Sequence, residues 1–229
     1  MQFGILVFPG SNCDRDTYHV LKNLGNSVEY IWYRESHTHE YDALVIPGGF
    51  SYGDYLRTGS IAATAPVMKS LQEDARRGKP IIGICNGFQI LLESGLLPGA
   101  LLTNRDLKFI CNDVHLRCEN RDTIFSSALA PQKALQMPVA HHTGNYFADE
   151  AVISELEEEE RILFRYCDST GSVNRESNPN GSVGNIAGIM NRQKNILGMM
   201  PHPERAADIE LGSADGAGVF ESLMECVIA

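Results

Sequence analysis

Short apolar runs alternate with amphipathic stretches through the first half of this chain. Residues 3–8, 28–33, 42–46 and 80–84 have the length and composition of buried strands, and residues 14–24, 62–77 and 86–94 carry helical spacing. Ser11 or Asn12 is expected to cap the helix over 14–24, with Gly25 stopping it; Gly78 and Gly95 stop the next two. Such strict strand–helix alternation predicts an open, mostly parallel α/β sheet with flanking helices, in which ligands sit at the carboxyl ends of the strands. The second half is richer in strands, expected over 109–119, 135–140, 162–167, 185–191 and 196–200, before a last helix over about 217–227. Residues 168–184, rich in Ser, Asn and Gly, predict the longest loop, and Glu155–Glu160 reads as a solvated helix face. Nothing marks a linker or a repeat, so residues 1–229 are expected to form one domain.

Composition narrows the partners. With 229 residues, 43% of them hydrophobic, the chain can bury a full core. A net charge of −10 and no basic patch argue against nucleic acid. The opening apolar run is short, lacks a basic flank and meets Pro9-Gly10, so it reads as a first strand and not as a signal peptide or membrane span. Six scattered cysteines without scaffold spacing are expected to be reduced, which points to the cytoplasm.

The chemistry concentrates at Gly83-Ile84-Cys85-Asn86-Gly87. A strand turning sharply into a helix, with glycines on either side of a nucleophile, is an elbow that exposes the apex side chain. A thiol there faces free backbone N–H groups and the positive end of the helix dipole, both of which favour thiolate. His202-Pro203-Glu204, just past the apolar run 196–200, supplies a base and an acid two residues on that can hold one imidazole nitrogen. Gly48-Gly49-Phe50 is either a plain turn or a second N–H donor beside that of Asn86 for a developing oxyanion. Cys111, His115 and Cys118 do not read as a metal site, because position 118 faces away from the other two on an extended strand. His141-His142 reads as ordinary surface or core histidine, and Cys13, Cys167 and Cys226 as structural. A cysteine-elbow sensor or peptidase, or a regulatory subunit that keeps the fold, remain alternatives on these residues alone.

Gly83-Ile84-Cys85-Asn86-Gly87-Phe88-Gln89 followed far downstream by His202-Pro203-Glu204 resembles the class I, triad glutamine amidotransferases. The runs Phe8–Asp14 and Pro47–Arg57, with His115-Leu116-Arg117 and Glu119-Asn120, are similar to the branch of that family that feeds purine biosynthesis; a triad amidotransferase of another pathway is the alternative. The run Ala140–Phe147 departs from the family's usual pattern after its Ala-His. The resemblance implies a flavodoxin-like sheet and hydrolysis of glutamine to glutamate and ammonia. It implies Cys85 as nucleophile, His202 as base and Glu204 as its orienting acid, with Gly49, Phe50, Asn86 and Gln89 around the substrate and oxyanion. It implies no metal or organic cofactor on this chain. ATP and magnesium are expected on a partner synthetase subunit, with or without a small third subunit, and the chain indeed carries no Gly-x-x-x-x-Gly-Lys-Ser/Thr loop.

Overall fold

Residues 1–131 and 134–228 are described by the computed structural model. In chain order the elements are β1 (Gln2–Val7), α1 (Asp14–Asn23), β2 (Ser27–Trp32), β3 (Ala43–Ile46), α2 (Pro66–Arg76), β4 (Ile81–Ile84), α3 (Asn86–Glu93), β5 (Ala100–Thr103), β6 (Ile110–Cys118), β7 (Leu135–His141), β8 (Thr143–Phe147), α4 (Glu150–Glu158), β9 (Ile162–Cys167), β10 (Ile186–Met190), β11 (Ile196–Met199) and α5 (Ala217–Ile228). Among the described residues, nine strands form one sheet in the order β2-β1-β3-β4-β11-β10-β9-β6-β7, and β5 pairs with β8. The pairs from β2 to β11 are parallel and those from β11 to β7 antiparallel. The strand-rich second half thus extends the parallel sheet at one edge.

Parallel strands buried on both faces need near-continuous apolar sequence. β3 and β4 are fully buried, and β1 is buried at all but its end residues. Their register sets the site. Ile46 pairs with Gly83, Gly83 with Gly198, and Ile84 with Met199. The residues that follow β3, β4 and β11 therefore leave the sheet at the same carboxyl edge. Gly87 lets α3 lie directly on β3, since a Cβ there would sit 1.9 Å from the Ile46 carbonyl oxygen.

Three expectations are corrected. Cys13, not Ser11 or Asn12, occupies the position before α1 and makes no side-chain cap; the Ser11 hydroxyl instead accepts from the Phe8 N–H at 3.0 Å. The helix expected over 62–77 is two elements, a 3-10 turn Ala62–Thr64 and then α2, because Pro66 forces Ala65 into an extended conformation and starts a new helix. Strands β5 and β8 and the first turns of α4 were not expected; β5 and β8 are short, and their pairing spans some forty residues of chain, beyond what local periodicity reports. Among the described residues no helix is long and apolar enough to cross a membrane.

Candidate active site

Cys85 links β4 to α3 with φ 51° and ψ −104°, a left-handed conformation that a side chain-bearing residue holds only at a cost of order 1–3 kcal/mol. Its N–H donates to the Met199 carbonyl at 2.8 Å, which ties the elbow to β11. The Cys85 Sγ lies 3.7 Å from the Ala140 carbonyl oxygen. Just past β11, His202 is anchored by a hydrogen bond from its N–H to the Pro138 carbonyl at 2.9 Å. Its Nδ1 meets the Glu204 Oε1 at 2.6 Å, and both residues are buried. The His202 Nε2 has no partner among the described residues. Burial alone would push the imidazole towards neutrality, but the Glu204 carboxylate and the Cys85 and Cys13 thiols outweigh it and raise His202 well above its ordinary range.

Gly48 is where these groups converge. A Cβ built on it would lie 2.7 Å from the His202 Cε1, 3.1 Å from the Cys13 Sγ and 3.4 Å from the Cys85 Cβ. Only a bare α-carbon leaves the imidazole its place beside the elbow. The next residue, Gly49, has φ 149° and packs on Ser11 and Asn12.

The expected oxyanion donors divide. The Asn86 N–H opens α3 without a partner, as the first amides of a helix do. The Phe50 N–H, however, donates to the Gly10 carbonyl at 2.9 Å and is spent. The neighbouring Gly49 N–H carries no such bond among the described residues and replaces it as the available donor. Gln89 is buried in a chain of amides. Its Nε2 donates to the Thr143 carbonyl at 2.7 Å, its Oε1 accepts from the Asn86 Nδ2 at 2.8 Å, and the Asn86 Oδ1 accepts from the Ser51 N–H at 3.1 Å. The loop 49–51, the start of α3 and the β7–β8 turn are thereby one unit.

Sequence reasoning missed three contributors. Asn104 is buried under the β7–β8 turn; its Nδ2 donates to the His141 and Lys108 carbonyls at 2.9 Å each, and its Oδ1 accepts from the Gly144 N–H at 3.1 Å. That orientation makes His141 Nδ1, 3.0 Å from Asn104 Oδ1, the proton-bearing nitrogen. His141 is a buried neutral residue, its desolvation lowering it to about 4. Cys13 is no isolated structural cysteine: its Sγ, a His202 ring nitrogen and a Glu204 carboxylate oxygen lie within 4.8 Å of one another. Arg205 adds a donor from Nη2 to the Cys13 Sγ at 3.2 Å. Cys13 could have been suspected from its place at the carboxyl end of β1, the same edge as Gly48 and Cys85. Cys111, His115 and Cys118 are exposed, half-buried and buried in turn, with Cys118 Sγ turned to the Asn120 carbonyl.

Comparison with known proteins gives the family and the fold. The CobB/CobQ-like glutamine amidotransferase domain family matches residues 1–214. The chain is similar to one in the structure of PurLQS from Thermotoga maritima, with 41% identity and a TM-score of 0.88, over 99% of this chain and 98% of that one. A putative GMP synthase subunit from Thermoplasma acidophilum shares the fold at 15% identity, covering 98% of this chain and 93% of that one, with a TM-score of 0.60. A glutamine amidotransferase from Thermotoga maritima does so at 15% identity, covering 100% and 98%, with a TM-score of 0.59.

Proposed function

The chain belongs to the CobB/CobQ-like glutamine amidotransferase family, and from that premise we propose that it is the glutaminase subunit of phosphoribosylformylglycinamidine synthase, releasing ammonia from glutamine for de novo purine biosynthesis in the cytoplasm. The observation that carries the chemistry is the convergence of the strained Cys85 and the buried His202–Glu204 pair on Gly48. The pathway is supported by the 41% identity to the PurLQS chain over nearly the whole of both.

In this reading the Cys85 sulfur attacks the side-chain amide carbon of glutamine. The Gly49 and Asn86 N–H groups receive the developing oxyanion, each worth about 3 kcal/mol in comparable sites. His202 protonates the departing ammonia, then takes a proton from the water that opens the γ-glutamyl thioester. Glu204 holds the Nδ1 proton and so presents Nε2 to the reacting atoms. Gln89, with one N–H and one acceptor position left over, lines the substrate wall. No metal or organic cofactor enters these steps; ATP and magnesium belong on the synthetase partner, with or without a small third subunit.

Labelling with a diazo-ketone analogue of glutamine tests the site. A single adduct on Cys85 that excess glutamine suppresses is the expected result; an adduct elsewhere, or one indifferent to glutamine, overturns it. Complementation of a purine auxotroph separates this pathway from another amidotransferase pathway.

The partner would meet the loop that follows Gly49. Tyr52, Asp54 and Leu56 all have positive φ there, and Tyr55 and Leu56 are 72% and 83% exposed. Tyr52 instead packs edge-on against Tyr33, and Arg57 pairs with Glu93. Tyr55→Ala with Leu56→Ala is expected to weaken synthetase binding while sparing Cys85 labelling. Unchanged binding would remove this loop from the interface.

A further inference from the structure

Cys13, His202 and Glu204 bring a thiol, an imidazole nitrogen and a carboxylate oxygen within 4.8 Å of one another, all three residues buried. Soft sulfur with nitrogen and one oxygen is a donor set that suits zinc, which takes tetrahedral sites with ligands at about 2.0–2.3 Å. Such ligands stand roughly 3.4 Å apart, so modest side-chain rotation closes the cluster around an ion. One polar atom of the cluster, the Glu204 Oε2, has no hydrogen-bond partner among the described residues and is fully shielded from solvent. A buried carboxylate oxygen without a donor is the kind of atom a cation satisfies.

A way in exists. A cavity of about 500 Å³ is walled by Glu204 and Arg205 and rimmed by Asp16 and Asp208. Its acids draw cations towards the back of the His202–Glu204 pair. The Cys13 thiol now donates to the Asn12 Oδ1 at 3.1 Å and accepts from the Arg205 guanidinium, which is held at its other end by an ion pair to Asp16 with both side chains more than a third exposed. The guanidinium can therefore swing out and give up the thiol.

We propose that Cys13, His202 and Glu204 form a binding site for a thiophilic divalent cation of the zinc class, and that its occupation switches off the site by withdrawing His202 and Glu204 from Cys85. On binding, the Cys13 S–H proton and one ring proton of the charged His202 imidazole both leave to solvent, the imidazole ligates through the nitrogen so freed, and the dication replaces those two protons, so no net charge is added to the buried cluster. The inhibition rests on the glutaminase reading; the binding does not.

The test uses the full chain with the exposed Cys111 and Cys226 replaced by serine, titrated with cobalt(II) chloride as a spectroscopic stand-in for zinc. One equivalent of cobalt is expected to give tetrahedral d–d bands and a thiolate charge-transfer band. Both should persist with Cys85→Ser and vanish with Cys13→Ser. The zinc concentration that halves glutaminase activity, read against each variant's own metal-free rate, should rise about tenfold or more in Cys13→Ser, and a chelator should restore activity. A charge-transfer band that survives Cys13→Ser, one lost only with Cys85→Ser, or none in any variant overturns the site. If glutaminase activity is absent altogether, the cobalt spectra still decide the binding. Circular dichroism of Cys13→Ser and a parallel Cys13→Ala variant separates loss of the site from loss of the fold.

Discussion

Gly48 does more for the site than its size suggests. The alanine methyl in Gly48→Ala would meet the His202 Cε1 at 2.7 Å, closer than real carbons approach, with the Cys13 sulfur and Cys85 Cβ leaving no direction of escape. The imidazole must shift, and a displacement of about 1 Å costs on the order of 100-fold in rate. Gly48→Ala should therefore lose glutaminase activity to about that extent, and lose about 1–3 kcal/mol of stability to overpacking, while its circular dichroism stays that of wild type; a fully active variant would mean that His202 does not work from this position. Glu204→Gln is the complementary change. Its amide keeps the shape but loses the carboxylate that helps raise His202. The rate should fall by roughly 10²–10⁴, and the limb of the pH–rate profile set by His202 should move to lower pH. A limb that stays in place would show that Glu204 does not tune the imidazole. The elbow at Cys85 and the His202–Glu204 pair were legible because both are written in local patterns. Phe50 was misread because its N–H is spent on Gly10, a partner some forty residues away, and Cys13 because a lone thiol carries no pattern until the fold sets His202 beside it.

At the scale of elements, the parallel strands and the elbow helix followed from apolar run length and glycine stops, while the pieces closing the site from the far side did not. Beyond the β5–β8 ladder, one side chain ties the end of β5 to the β7–β8 turn. Asn104 offers both amide hydrogens and its oxygen to backbone groups of the segments 108, 141 and 144, and its own N–H donates to the His142 carbonyl at 2.9 Å. No periodicity announces such a hub, since an asparagine past a short strand reads as a turn residue. Removing it strands buried donors and acceptors, each costing about 1–3 kcal/mol. Asn104→Ala should accordingly lower unfolding stability by about 2 kcal/mol or more in a urea titration. It should also raise KM for glutamine more than it lowers kcat, because the turn that moves carries the Thr143 carbonyl holding Gln89. Unchanged stability would show the turn to be held by its strands alone.

For the whole molecule, buried histidines set opposite limits on pH. Sequence could count seven histidines but not say which are dry, because burial is decided by how β7 and β11 enter the sheet. His141, lowered by burial from 6.5 to about 4, binds fewer protons folded than unfolded between those values. Its contribution is therefore complete above pH about 6.5 and is lost progressively as pH falls to about 4, a loss of about 3 kcal/mol. His202, raised well above 6.5, does the reverse; its contribution is present below pH 6.5 and lost as pH rises through its folded value. Asp74 is desolvated, yet hydrogen bonds from Thr38, His39 and Lys79 hold it below 3.8, so its contribution fails only beneath that pH, in a separate window. Unfolding free energy should thus decline between pH 6.5 and 4, before that carboxylate titrates. In His141→Asn, whose amide N–H can replace Nδ1 as donor to Asn104, the decline over that interval should shrink by most of those 3 kcal/mol. Urea titrations of both proteins at pH 7, 5.5 and 4.5 measure it. An equal decline in the variant would assign the acid sensitivity to groups other than His141.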